Sequence, residues 1–292
     1  MLRALVRKLY PFGRFEELEA KVRGLERELT KTKSLYREEL DLLRSRVEID
    51  TSVQLNFETW KRNNPLSANP LVSVCVSTYN LGHILTTRCL PSILNQTYRN
   101  IEVIVVGDGC SDRTEKQIST IRDPRLQFFN LSQRGEYPTN PQQRWQVAGT
   151  FAINDALGRT TGDLITHLDD DDEFMTDRIE KLVSFIAETE SDFVWHPFYF
   201  EDREGNWSLN DATEFAQGKV TTSSVFYRSW FKNIPWDVNA YRLMEPGDWN
   251  RFRKIKYLNP SMRRFPDALV KKHATWSVLS ADGKESRAHC LC

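Results

Sequence analysis

The stretch Ile101-Glu102-Val103-Ile104-Val105-Val106-Gly107-Asp108-Gly109-Cys110-Ser111-Asp112 decides how this chain folds. Ile and Val are stiff, β-branched residues that favour extended backbone, and apolar residues at consecutive positions mean that both faces of the strand are covered. The glycines at 107 and 109 end the strand and leave the Asp108 carboxylate at its carboxyl end. Outward from there the pattern repeats. Strands are predicted at 71–78, 126–131, 163–168 and 193–198, and helices at 83–96 (despite Pro91), 112–121, 144–157 and 175–188. Alternation over this length predicts an α/β domain with a mostly parallel central sheet and helices on both faces. Ligands of such sheets bind beyond the carboxyl ends of the strands, so the residues that follow each strand carry the functional argument.

Three strand ends stand out: Thr78-Tyr79-Asn80, Gly107-Asp108-Gly109, and Asp169-Asp170-Asp171-Asp172-Glu173. Adjacent carboxylates in a partly desolvated cleft repel one another, and a divalent cation removes that cost. In extended backbone Asp169 and Asp171 point to the same side, so both can reach one ion. Oxygen ligands with no Cys or His nearby in sequence suit Mg2+ or Mn2+, completed by phosphate oxygens. The competing reading, that Asp172 and Glu173 cap the next helix, accounts for those two acids and leaves Asp169 to Asp171 unexplained. For Asp108 the alternative is a turn carboxylate that accepts backbone hydrogen bonds. No strand is followed by G-x-G-x-x-G, and G-x-x-x-x-G-K-[ST] is absent, which excludes the dinucleotide and P-loop readings.

In order along the chain, Leu71-Val-Ser-Val-Cys-Val-Ser-Thr-Tyr-Asn80, Leu90-Pro-Ser-Ile-Leu-Asn-Gln-Thr-Tyr98, 101–109 with Ser111-Asp112, Asp123-Pro-Arg125, Gly162-Asp163 and Leu168-Asp-Asp-Asp-Asp172 resemble a family 2 glycosyltransferase of the GT-A fold, over about residues 71–275. The resemblance implies a nucleotide-diphosphate sugar as donor, a UDP-sugar first among them, and Thr78, Tyr79, Asn80, Asp108, Asp169 and Asp170 as its binding residues. It maps the D-x-D metal motif onto Asp169 and Asp171, with His273 as a further candidate for the metal or diphosphate. Asp248, in Met244-Glu-Pro-Gly-Asp248-Trp249, matches the general base, with Glu245 in reserve; from the residues alone Asp248 could equally be a helix N-cap. Two departures are Gly107, where a second acid is frequent, and Asn154-Asp155, where an Arg-Asn pair is often seen. Residues 218–224, Thr222 among them, lie where the family's sheet crosses toward the acceptor, and Trp195, His196, Trp207 and Trp236 are candidates for stacking on sugar rings. The implied activity is a metal-dependent, inverting hexosyl transfer to a hydroxyl of a glycan or glycolipid. The alternative is a catalytically inactive relative that serves as a coiled-coil assembly protein.

Residues 1–50 differ in composition. They hold 12 Lys/Arg and 10 Asp/Glu, against 58 charged residues in the other 242. Phe15, Leu18, Val22, Leu25, Leu29, Thr32 and Tyr36 are spaced alternately by three and four, and Leu40, Leu43 and Val47 continue the row after a stutter. This heptad spacing predicts a coiled-coil helix over 15–50 and a homo-oligomer formed through it. Ahead of it, Arg3, Arg7, Lys8 and Arg14 make 1–14 a basic segment that can touch anionic lipid. Residues 51–70, rich in turn formers, read as a linker to a glycosyltransferase-like domain at 71–292, with donor binding in 71–175 and the acceptor side and base in 176–292. Forty basic and forty acidic residues give zero net charge, which argues against nucleic-acid binding by bulk charge. No apolar run approaches the roughly 20 residues of a membrane span. Five cysteines without metal-like spacing, and an N-terminus too interrupted for a secretory signal, predict a cytoplasmic protein, peripheral at most to the inner membrane face. The pair at Cys290 and Cys292 fits no prenylation pattern.

Overall fold

A computed structural model describes residues 12–274 of the chain. The basic segment up to residue 11 and the tail from 275, with Cys290 and Cys292, lie outside the described residues. The chain divides after Asp50 into two units.

The first unit is one helix, Phe12–Glu48, of 37 residues. It starts ahead of the predicted 15, with Gly13 inside it. The heptad row lies on its surface: Leu18, Val22, Leu25, Leu29, Tyr36, Leu40, Leu43 and Val47 are all exposed, from 45% for Leu40 to 88% for Val47.

The second unit opens with a helix at Thr51–Asn63, where a linker was expected. Its anchor is Phe57, 1% exposed, whose ring sits 4.9 Å from that of Trp230 and 5.0 Å from that of Phe231. Lys61 Nζ adds an ion pair with Asp192 at 2.8 Å. Leu55 on the same helix is exposed, so the helix owes its place to one buried aromatic rather than to a periodic apolar row.

Eleven strands are found among the described residues: β1 (Val72–Thr78), β2 (Ile101–Gly107), β3 (Leu126–Asn130), β4 (Leu164–His167), β5 (Glu173–Phe174), β6 (Phe193–Trp195), β7 (Phe198–Glu201), β8 (Trp207–Asn210), β9 (Val225–Arg228), β10 (Met262–Arg264) and β11 (Val270–Lys272). Seven form the main sheet in the order β10-β6-β9-β4-β1-β2-β3. All its pairings are parallel except those of β9, which runs antiparallel to β4 and β6. Val72, Val74, Val76, Val103 and Val105 pack on one face with Leu85, Leu90, Ile93, Ile179 and Leu182. Cys75, Ile104 and Val106, one residue out of phase, point to the other face and are just as buried, against the helix Thr150–Gly158. Coverage of both faces is the reason the strands read as unbroken apolar runs.

Two predicted elements are interrupted. The helix expected at 144–157 is two, Pro141–Val147 and Thr150–Gly158, separated at Gly149 with φ +79°. The strand expected at 193–198 also splits: β6 stays in the main sheet, whereas β7 belongs to a second sheet ordered β5-β11-β7-β8. Pro197, which has no N–H to give a ladder, sits at the crossing. This second sheet follows the acidic stretch through β5 and returns to it through β11.

Candidate active site

The register brings the first two strand ends side by side. Thr78 lies opposite Gly107, and the Asp108 N–H donates to the Thr78 carbonyl at 2.8 Å. Asp108 is 2% exposed, and it accepts from the Tyr137 hydroxyl at 2.8 Å and from the Gly135 N–H at 3.1 Å. Arg134 lies 4.0 Å from the same carboxylate, with its guanidinium 3.7 Å from the centroid of the Tyr79 ring. Burial and the Asp108 charge push the Tyr137 phenol well above its ordinary pKa, so it stays a donor. Gly109, at φ +67°, makes this approach possible: a Cβ there would lie 2.3 Å from the Arg134 nitrogen. Gly107 has a steric reason as well, since a side chain would meet Asn130 Oδ1 at 2.5 Å. Asn80, at φ 52°, accepts from the Ser111 N–H at 2.9 Å. Thr78, Tyr79, Asn80 and Asp108 thus line one corner. Arg134 and Tyr137 join them unanticipated; the available signal was that their loop follows β3, a third strand end.

The acidic stretch is a turn rather than extended backbone. The Asp172 N–H donates to the Asp169 carbonyl at 3.1 Å, the closure of a four-residue turn. This brings Asp169 and Asp172 together, whereas alternation pairs Asp169 with Asp171. Between them stands Lys272, whose Nζ donates to Asp169 Oδ2 and to Asp172 Oδ2, each at 2.7 Å. Lys272 is the counter-ion of the cluster. Asp172 also accepts from the His273 N–H at 3.1 Å and from the Ser223 hydroxyl at 3.3 Å, and Ser223 Oγ accepts from the Asp169 N–H at 3.1 Å. Burial opposes a charge on Lys272, but the Asp169 and Asp172 carboxylates outweigh it and hold the ammonium well above the ordinary lysine range. Burial pushes Asp172 upward, and Lys272 opposes that shift. Asp170 and Asp171 are buried in the same turn, and Arg88, from the π-helical turn Leu85–Cys89, donates to the Asp171 carbonyl at 2.9 Å.

His273 does not enter the cluster. Side chains alternate along β11 and its continuation, so Lys272 points to the carboxylates while the His273 ring points the other way. Its nitrogens lie 3.3 Å from Glu201 and 3.5 Å from Glu173, and Trp207 meets the ring edge-on at 5.0 Å. The residue that reaches the acids is one position earlier than the sequence suggested.

Asp248 opens the helix Gly247–Tyr257. Burial pushes its carboxyl up to about 6; the hydrogen bond from its neighbour Trp249 N–H at 2.7 Å opposes this, the Asp169 charge adds to it, and Lys272 counters. The charges of Asp169 and Lys272 are thus felt at Asp248. Glu245 has a different role from the reserve base expected of it. It is 3% exposed, and Arg253 grips both its oxygens at 2.9–3.0 Å while Asn250 donates to it at 2.9 Å. Such a carboxylate is a structural anchor for the helix.

Of the acceptor candidates, Thr222 lies on the short 3-10 turn Thr222–Ser224 beside Ser223, next to the acids. Trp195 is placed differently: its Nε1–H donates to the Ala212 carbonyl at 2.9 Å and its ring packs on Phe215, a core role. Trp236 and His196 are buried too. Asn154 clamps both the N–H and the carbonyl of Trp236, each at 2.9 Å, which gives that position a structural task in place of the family's Arg-Asn pair.

Divalent ions fit the chemistry of this donor set. Asp169 and Asp171 are hard oxygen ligands, and Asp169 has 40% of its side chain exposed. No group of three or more His, Cys, Asp or Glu forms a ready cage among the described residues, so protein ligands alone would leave an ion's shell incomplete. Among the described residues, no helix is long and apolar enough to cross a membrane.

Residues 73–245 match the family model for glycosyl transferase family 2. Glycosyltransferase GlyG of Streptococcus pneumoniae serotype 4 is 30% identical over 218 residues, which cover 73% of this chain and 61% of that protein. The UDP-Glc:alpha-D-GlcNAc-diphosphoundecaprenol beta-1,3-glucosyltransferase WfgD of Escherichia coli is 26% identical over 163 residues, 56% of each chain. The crystal structure of S. aureus TarS in complex with UDP-GlcNAc, 21% identical, superposes with a TM-score of 0.55 over 70% of this chain and 59% of that one. The chain thus spans less than two thirds of the length of these proteins. TarS shares the fold derived above, and the family match over 73–245 shows that the chain belongs to glycosyltransferase family 2.

Proposed function

We propose that the protein transfers a sugar, with inversion, from a UDP-sugar to a hydroxyl of a lipid-linked or free glycan, with Asp248 as the general base. The observation that carries this reading is the Asp248 carboxyl itself. Burial raises it to about 6, where it is ionised at neutral pH yet basic enough to accept a proton, and the charges of Asp169 and Lys272 act on it from the acidic turn. Support for the donor and acceptor classes comes from TarS, solved with UDP-GlcNAc, and from WfgD, whose name states a UDP-Glc donor and a diphosphoundecaprenol acceptor.

In the transfer, Asp248 takes the proton of the acceptor hydroxyl. The oxygen forms its bond to the anomeric carbon from the face opposite the diphosphate, and the anomeric C–O bond breaks with its electron pair left on the β-phosphate. Tyr79 and Asp108 hold the nucleoside, with Thr78, Asn80 and Asp170 around it, and Arg134 and Tyr137 fix the Asp108 side. Asp169 and Asp171 would hold a divalent ion, which would supply positive charge for the leaving diphosphate. Acceptor contacts fall to the turn at Thr222. The exposed heptad row of the first unit is the surface through which the chain pairs with a second copy.

A panel of nucleotide sugars, incubated with Mn2+ and a diphosphoundecaprenol-linked sugar, tests this. A UDP-sugar should be consumed, and NMR of the product should show the anomeric configuration opposite to the donor's. Retained configuration, or turnover with no UDP-sugar, contradicts it.

A further inference from the structure

Lys272 places its ammonium between two carboxylates of the acidic turn. From β11 it spans 103 residues of sequence to Asp169 and 100 to Asp172, and it bonds both at 2.7 Å. Asp172 is 1% exposed, and its other partners, the Ser223 hydroxyl and the His273 N–H, are neutral. Two carboxylates brought together in a half-buried turn need a counter-charge, and the ammonium supplies it without a metal. That is the task a divalent ion performs in the same place. The two cations cannot share Asp169 at no cost, because an ion on that carboxylate would sit beside an ammonium in a site partly withdrawn from water. A lysine is suited to give way: its charge rides on a flexible four-carbon stem, and its three donors accept phosphate oxygens as readily as carboxylates.

We propose that Lys272 is the gatekeeper of the metal site: its ammonium keeps a divalent ion off Asp169 while no donor is bound, and moves to the donor's diphosphate when one arrives, so that ion and nucleotide enter together. This rests on the reading of the site as one for a nucleotide diphosphate. It assigns Lys272 as a positioning residue for the donor and makes metal affinity conditional on it.

The test is Mn2+ binding to the full chain, followed by EPR of free Mn2+, with and without UDP, for the wild type, Lys272→Met and Lys272→Arg. In the wild type, UDP should tighten Mn2+ by about tenfold or more, the size of an ordinary coupling between sites. Lys272→Met should bind Mn2+ without UDP about tenfold more tightly than the wild type and lose most of the UDP effect. Lys272→Arg, which keeps the charge, should behave as the wild type. Equal Mn2+ affinity of Lys272→Met and wild type overturns the proposal, as does an Arg variant that binds like the Met variant. Lys272→Met leaves Asp172 without its counter-ion, so its melting is followed in EDTA and in Mn2+. Stabilisation by Mn2+ larger than in the wild type supports the assignment, and stabilisation no larger than in the wild type defeats it. Failure of UDP to bind any form, seen by melting with Mn2+ present, would instead remove the donor reading; the comparison of Mn2+ affinities without UDP would still judge the gatekeeper.

Discussion

Asp248 shows how surroundings turn an ordinary carboxylic acid into a base of useful strength. Burial raises its pKa, Asp169 adds to the rise, and Lys272 and the Trp249 N–H restrain it, leaving a value of about 6. As the proposed general base, Asp248 must be ionised, so kcat/KM should fall as the pH drops through about 6 and level off above it. A pH–rate profile with its acid limb at the ordinary aspartate value near 4 would mean that another group takes the proton. Glu245, three residues away, illustrates the opposite fate. With Arg253 and Asn250 on its oxygens it holds structure, and Glu245→Gln removes the charge that the buried Arg253 guanidinium grips at 2.9 Å. Urea unfolding should show a loss of about 3–5 kcal/mol, the usual cost of breaking a buried pair from one side. Unchanged stability would contradict the structural role.

At the scale of elements, the helix Thr51–Asn63 has Phe57 as its one buried apolar anchor. Phe57→Ala should cost about 3–5 kcal/mol of stability, as for buried aromatics generally, while UDP affinity of the folded protein is unchanged. Denaturant melts and a UDP titration of the same variant check both halves; a loss below about 1 kcal/mol would show that the helix is held otherwise. This helix also marks where the sequence ceases to be readable. The main-sheet strands β1 and β2 announce themselves as Val- and Ile-rich runs because both of their faces are buried, and the residues after them were found by position alone. A helix with a single anchor has no period to detect, and the strands β5, β7, β8 and β11, two to four residues each, are too short to carry one. The second sheet nevertheless shapes the site, since β11 delivers Lys272. That contact joins residues a hundred positions apart, and sequence spacing is silent about it. Alternation failed at Asp169 to Asp172 because four adjacent acids formed a turn rather than a strand. Arg134 and Tyr137 escaped for a related reason: their loop depends on the backbone that Gly109 allows, visible only once the two strand ends are side by side.

On the scale of the whole molecule, a 37-residue helix with an exposed heptad row is attached to a glycosyltransferase unit. An apolar stripe of this length seeks a partner in water. Sedimentation of the full chain should therefore give an oligomer, and Leu25→Glu with Leu29→Glu, two heptad positions, should yield the monomer with its turnover retained. A wild-type monomer at micromolar concentration would leave the row unexplained. In the other unit, two strand ends lie side by side and an acidic turn follows a third, and the account stands or falls with the carboxylate at the start of the helix Gly247–Tyr257. The most direct measurement is steady-state sugar transfer by Asp248→Asn at saturating UDP-sugar and acceptor, with UDP binding followed in parallel. The account predicts a loss of about 10²–10⁴ in turnover with UDP affinity intact; turnover within a few-fold of the wild type would contradict it.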